Sequence, residues 1–159
     1  MQNMHRNHDD SSNYFELTGA KDLFREYQQA LSEYTDKPTI RLFFFIVFTL
    51  NHLREWITGC GYEEIQRKIE KGSALSEGER FFLSLGETPE FKIINSLCNR
   101  GKHFSVKDKH TTSVTTGLHV GGWCTDSLDQ TYYMINGIDS REYIYAVGRQ
   151  YYLWFEKHG

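Results

Sequence analysis

Apolar residues recur at three- and four-residue steps between Thr18 and Tyr34, through Leu23, Phe24, Tyr27, Ala30, Leu31 and Tyr34, with Arg25, Glu26 and Gln28 opposite. That spacing predicts an amphipathic helix with one buried stripe. Asp36-Lys37-Pro38-Thr39 breaks the pattern, and Thr39 is the expected N-cap of a second helix running to about Thr58, where Gly59 and Gly61 stop it. The first half of this helix, Leu42 to Phe48, is apolar all round, which predicts a central element with neighbours on several sides. In its second half Asn51, His52, Arg54 and Glu55 interrupt Leu53, Trp56 and Ile57, so the helix passes from core to polar surface.

Shorter helices are expected at Tyr62 to Lys71 and at Ser76 to Leu85, the latter opened by a Ser76/Glu79 capping box and closed by Gly86. Thr88 and Pro89 have the order of an N-cap followed by a first helical residue whose missing N–H costs nothing, and the helix they open runs to about Lys102 or His103. Its apolar stripe is Phe91, Ile94, Leu97 and Cys98. Beyond Phe104 the β-branched and aromatic segments Thr111 to Val120 and Thr131 to Ile135 predict strands, separated by a turn-rich loop around Gly121 to Asp126 and followed by a tight turn at Asn136-Gly137. Asp139 and Glu142 repeat the capping-box spacing ahead of a last helix carrying Tyr143, Ile144, Val147, Tyr151, Trp154 and Phe155. The expected fold is mainly α (α+β): a helical bundle with a β-hairpin at about residues 111–137 inserted before the C-terminal helix. Residues 1–13 read as a flexible polar tail and 14–159 as a single domain.

Composition supports one core. The 159 residues carry no Pro-rich, Ser/Gly-rich or single-sign stretch that would divide them, and eleven Phe, ten Tyr and three Trp supply large side chains to bury. A formal charge of −3 excludes binding of nucleic acid or anionic membrane by bulk electrostatics and leaves only a local mode. The most apolar run, Leu42 to Leu50, is less than half the roughly 20 residues that span a bilayer. Cys60, Cys98 and Cys124 form no paired framework and Met1 to Asn13 holds no apolar secretion signal, so a reducing, cytoplasmic setting is expected.

Candidate chemistry concentrates in Asn99-Arg100-Gly101-Lys102-His103-Phe104. On a helix Asn99 and His103 are four apart, and Arg100 and His103 three, so these side chains converge near one helix end. Arg100 or Lys102 would neutralise charge on a phosphodiester while His103 moves a proton near neutral pH. Basic residues also serve simply to cap a helix C-terminus, where they offset the macrodipole. The second polar group, Asn51, His52, Arg54 and Glu55, joins the first only if the two helices cross. Otherwise Arg54 and Glu55 are solvated, Asn51 and His52 satisfy local partners, or Glu55 holds Arg100 in a non-catalytic ion pair. Arg100 to His110 forms a local basic strip with Lys102, His103, Lys107 and Lys109, near which Trp123, Tyr132 and Tyr133 would suit either single-stranded RNA or a protein interface. His103, His110, His119 and Cys124 lack zinc-ligand spacing, and neither a nucleophile elbow nor a phosphate-cradling glycine loop is present, so no metal or cofactor is expected.

Trp56-Ile57, Asn99 to Phe104, Gly121-Gly122 and Trp154-Phe155 together resemble a group of uncharacterised bacterial and phage proteins that share an Asn-x-x-Lys-His-Phe motif, over roughly two thirds of the chain. More distantly, a helical bundle with a polar motif ending in His resembles the HEPN superfamily, whose members include metal-independent ribonucleases of toxin–antitoxin and phage-defence systems, usually acting as dimers. Those enzymes have four to six residues between the Arg and the His. Here those upstream positions hold Ser96, Leu97 and Cys98, and Arg100 is closer to His103 than the pattern requires. The resemblance therefore implies a HEPN-like interaction module, in phage–host defence or anti-defence, with a protein partner or homodimer. Its contact surface would be Asn99, Lys102, Asn51, His52, Arg54 and Glu55 with the hairpin. The alternative is a metal-independent endoribonuclease using Arg100 and His103.

Overall fold

A computed structural model describes residues 16–102, 110–117 and 129–159. Six helices and a small sheet follow in the order α1 (Ala20–Asp36), α2 (Ile40–Thr58), α3 (Tyr62–Glu70), α4 (Glu77–Glu87), α5 (Pro89–Lys102), β1 (Thr112–Thr116), β2 (Thr131–Ile135), β3 (Ile138–Asp139) and α6 (Ser140–His158). This is the mainly α arrangement expected, with antiparallel strands inserted ahead of the last helix. The proposed tail, residues 1–13, lies outside the described residues.

Local chemistry explains most boundaries. Thr39 Oγ1 accepts from Leu42 N at the start of α2, and Gly59 ends it in the left-handed region at φ 68°. Ser76 and Glu79 form both bonds of a capping box at α4. Thr88 Oγ1 accepts from Phe91 N at 3.3 Å ahead of α5. Two of the expected signals act differently. Gly86 does not close α4, which continues to Glu87. Asp139 caps α6 through Arg141 N, and its carboxylate also grips the Arg141 guanidinium, with Nη2 at 2.7 Å, so it forms a buried ion pair where a capping box with Glu142 was expected.

The spine is α2. It packs against α1, α4, α5 and α6, and its Ile46, Val47, Leu50 and Leu53 are fully buried. Phe44 and Phe45 are nonetheless exposed by about two fifths, so the apolar girdle of this helix is wider than its neighbours cover. Tyr27 and Tyr34 of α1, Phe91, Ile94 and Cys98 of α5, Ile135 of β2, and Ile144, Val147 and Tyr151 of α6 complete the core. Three tyrosine hydroxyls cross it: Tyr151 donates to the Leu50 carbonyl at 2.7 Å, Tyr27 to the Ile144 carbonyl at 3.3 Å, and Tyr34 lies 2.9 Å from Ser140 Oγ. Burial pushes the ionisation of all three well above the ordinary phenol range, so they remain neutral hydrogen-bonding groups. Tyr151 is buried within its own chain, and Trp154 stacks on Phe81 at 4.8 Å.

The sheet order is β1-β2-β3, with Thr112 opposite Ile135, Val114 opposite Tyr133 and Thr116 opposite Thr131. Asn136 and Gly137, at φ 53° and 77°, make the tight turn, which leads from β2 into the two-residue β3. Val114 and Thr112 share a sheet face with Tyr133 and Ile135, which points toward α1 and α2, where Tyr133 stacks on Phe43 at 5.9 Å and on Tyr34 at 6.2 Å. β1 itself is exposed along its whole length.

Candidate functional site

The packing of α2 on α5 brings the two polar groups of the sequence together. His52 and Glu55 lie one turn apart on α2, with His52 Nδ1 at 2.9 Å from Glu55 Oε2. Across the helix pair, Lys102 Nζ sits 2.7 Å from His52 Nε2. An ammonium can only donate, so Nε2 must accept and the ring proton resides on Nδ1, where it is donated to Glu55. A directed chain results, Lys102 to His52 to Glu55. Behind it, Cys98 Sγ approaches His52 Nε2 at 3.9 Å from one turn earlier on α5. Burial pushes the Cys98 thiol up, against the pull of Lys102, so the sulfur is a protonated core group. Asn51 is buried next to it and its Oδ1 makes no hydrogen bond.

Arg54 does not join this cluster. It leaves α2 on another side and sets its guanidinium against the rings of Phe82 and Phe91, 4.0 and 4.3 Å from their centroids. It is neither a solvated surface cation nor a neighbour of Arg100. The ion pair considered between Glu55 and Arg100 does not form either, because Glu55 is taken by His52. Arg100 Nη1 donates instead to Thr112 Oγ1 at 3.2 Å, tying the end of α5 to β1. Asn99 is exposed. His103, Lys107, Lys109, His119, Trp123 and Cys124 lie outside the described residues.

Between α2, the end of α5 and the inner face of the sheet runs a cleft of about 610 Å³. Ile40, Phe43 and Phe44 form one wall, Val114 and Tyr133 the other, and Arg100 and Lys102 stand over a mostly apolar lining to which Thr112 and Ser113 also contribute. Gly101 sets the depth of this corner: a Cβ there would lie 3.2 Å from both the Phe44 and Phe48 rings. Tyr133 thus lies beside the basic strip, whereas Tyr132 faces away, its ring 5.2 Å from the Arg141 guanidinium.

Sequence reasoning singled out Arg100, Lys102, His52 and Glu55 but missed Cys98 as their neighbour and Ile40, Phe44 and Val114 as cleft walls. The excess of Phe in α2 was the available signal, since an apolar run on all sides of a helix leaves some of it unburied. Among the described residues no three His, Cys, Asp or Glu side chains are grouped to hold a metal ion, and no helix is long and apolar enough to cross a membrane. Searches against protein-family models, curated proteins and solved structures return no match for this chain.

Proposed function

We propose that this chain is a HEPN-like interaction module that holds an acidic, apolar segment of a partner protein in the cleft between α2, α5 and β1. The observation that carries this reading is the pairing of exposed apolar walls, Ile40, Phe44 and Val114, with two cations, Arg100 and Lys102, on one rim. Apolar side chains of a partner would fill the cleft and its carboxylates would meet the rim.

Strand geometry supports an extended occupant. Gly117 N donates to the Gln130 carbonyl, and Asn136 N donates to the Thr111 carbonyl. Alternation along an antiparallel ladder then turns the backbone groups of Thr112, Val114 and Thr116 away from β2. Among the described residues no strand pairs with that edge. Such an edge beside an apolar groove suits addition of a partner strand. The phage–host setting implied by the resemblance remains part of this proposal.

The test is fluorescence anisotropy with labelled ten-residue peptides of alternating Glu and Leu, with Lys/Leu peptides as control, on wild type and on Arg100→Glu/Lys102→Glu. Saturable binding of the acidic series, weakened at least about tenfold by the charge reversal, is expected. Equal binding of both series, or no binding, refutes the reading. A parallel incubation with mixed tRNA and mRNA in excess EDTA separates the ribonuclease alternative. Fragments ending in 2′,3′-cyclic phosphate, made by wild type and lost in Arg100→Ala and His103→Ala, would replace the binding module with an enzyme. Sedimentation as a dimer disrupted by the same charge reversal would make the partner a second copy.

A further inference from the structure

On the side of α2 away from the Lys102 chain, Arg54 is held in an unusual setting. Its guanidinium carbon lies 4.0 and 4.3 Å from the ring centroids of Phe82 of α4 and Phe91 of α5. The N–H groups of a guanidinium all lie in its plane, so a hydrogen-bonding partner approaches there. Yet Nε is buried without a hydrogen-bond partner, and among the described residues no carboxylate lies within ion-pair distance of the side chain. The nearest acid in sequence, Glu55, is spent on His52. Desolvation pulls the guanidinium below its ordinary value, and the charge of Glu55, too distant for an ion pair, opposes that shift only in part. A charge in that position is stabilised by an anion that binds it, since burial without pairing is costly.

The surroundings provide room for one. A cleft of about 430 Å³ is lined by Arg54, Tyr62, Gln66, Asn95 and Gly86, with the exposed Lys92–Glu87 pair also contributing to its wall. Gly86 has a specific part in this. A Cβ at that position would lie 3.0 Å from Arg54 Nη1, so the missing side chain leaves space for the guanidinium. This glycine stands in the last turn of α4, one residue before its end. The close approach explains why α4 carries one there although it does not end the helix.

We infer that the cleft around Arg54 is a binding site for a small carboxylate with a flat body, the carboxylate taken in plane by the guanidinium and the body lying along Tyr62 and Phe82, with Gln66 and Asn95 as amide partners. The guanidinium fork takes a carboxylate or a phosphate alike, and it is the ring of Tyr62 in the same lining that favours a carboxylate carrying a flat body. This site is separate from the Arg100–Lys102 cleft and does not depend on how that cleft is used.

The probes are benzoate, acetate and inorganic phosphate, each titrated at constant ionic strength while the Arg54 Nε–H resonance is followed by NMR. Benzoate should saturate and move that resonance, acetate should bind more weakly, and phosphate more weakly than benzoate. Arg54→Lys should weaken benzoate at least about tenfold, because a point charge lacks the bidentate plane. Gly86→Ala, which keeps the cation and favours the helix, should also weaken it while circular dichroism and Tm report an intact fold. No saturable shift with benzoate, an affinity unchanged by Gly86→Ala, or phosphate binding more tightly than benzoate would each overturn the assignment. Should Arg54→Lys fail to fold, the glycine variant and the Nε–H titration decide alone.

Discussion

Helix propensity and packing predict opposite signs for Gly148→Ala. Gly148 sits inside α6, where replacing glycine with alanine ordinarily stabilises a helix by about 1 kcal/mol. The new Cβ, however, would lie 2.0 Å from Tyr27 Oη and 2.8 Å from Tyr27 Cζ. Tyr27 is 2 % exposed, stacks on Phe24 at 5.6 Å, and donates to the Ile144 carbonyl at 3.3 Å, so its ring has nowhere to retreat without disturbing the core. Overpacking of this kind costs about 1–3 kcal/mol. Loss of the tyrosine hydrogen bond adds about 1 kcal/mol, which the propensity gain of about 1 kcal/mol offsets. The net expectation is destabilisation by about 1–3 kcal/mol. Urea unfolding measures it as a lower midpoint at unchanged slope. In a double-mutant cycle, Tyr27→Phe removes the hydroxyl that clashes first, so Gly148→Ala should cost less in that background, by about 1 kcal/mol. A Gly148→Ala protein as stable as wild type, or more so, would refute the packing argument.

Two further outcomes follow from buried charges. The Lys68 ammonium and the Ser76 N–H hold the Glu79 carboxyl down at about 2, against an ordinary 4.5. A depressed carboxylate contributes stability above its unfolded value and loses it as the pH falls through the folded one. Glu79→Gln should therefore lower Tm at pH 7 and flatten the decline of Tm between pH 4.5 and about 2, whereas parallel wild-type and variant curves across that window would contradict the assignment. Asp139 meets Arg141 at 2.7 Å while Arg141 is 1 % exposed, and removing the carboxylate by Asp139→Ala should cost about 3–5 kcal/mol in urea unfolding. A loss below about 1 kcal/mol would show that the ion pair contributes little.

Helix starts and stops were legible because their signals are local: Thr39, Ser76 with Glu79, Thr88 with Pro89, and Gly59 each act within one turn of their own position. Asn136-Gly137 identified the turn for the same reason. What failed to show were contacts made between distant segments. Arg54 reads as a surface cation until Phe82 and Phe91 are placed around it, and Gly86 reads as a helix stop until the guanidinium beside it is seen. Four of the proposed site residues, Arg100, Lys102, His52 and Glu55, gather near the α2–α5 contact because the helices run antiparallel, which sets the end of α5 against the middle of α2: Gly101 faces Phe44 and Phe48, and Lys102 faces His52. His103 lies outside the described residues, and Arg54 faces the other way.

The three tyrosine hydroxyls that cross the core also constrain when the domain can form. Their partners are separated by 101, 106 and 117 residues along the chain, so each bond joins an early helix to α6 or to its first residue. Contacts of such long sequence separation are made late, after the entropy of closing a large loop has been met. During synthesis α1 and α2 emerge first, with Leu50, Tyr27 and Tyr34 lacking these partners until α6 follows. The three bonds can form only once α6 is available, so this part of the core cannot be completed before that helix has been synthesised.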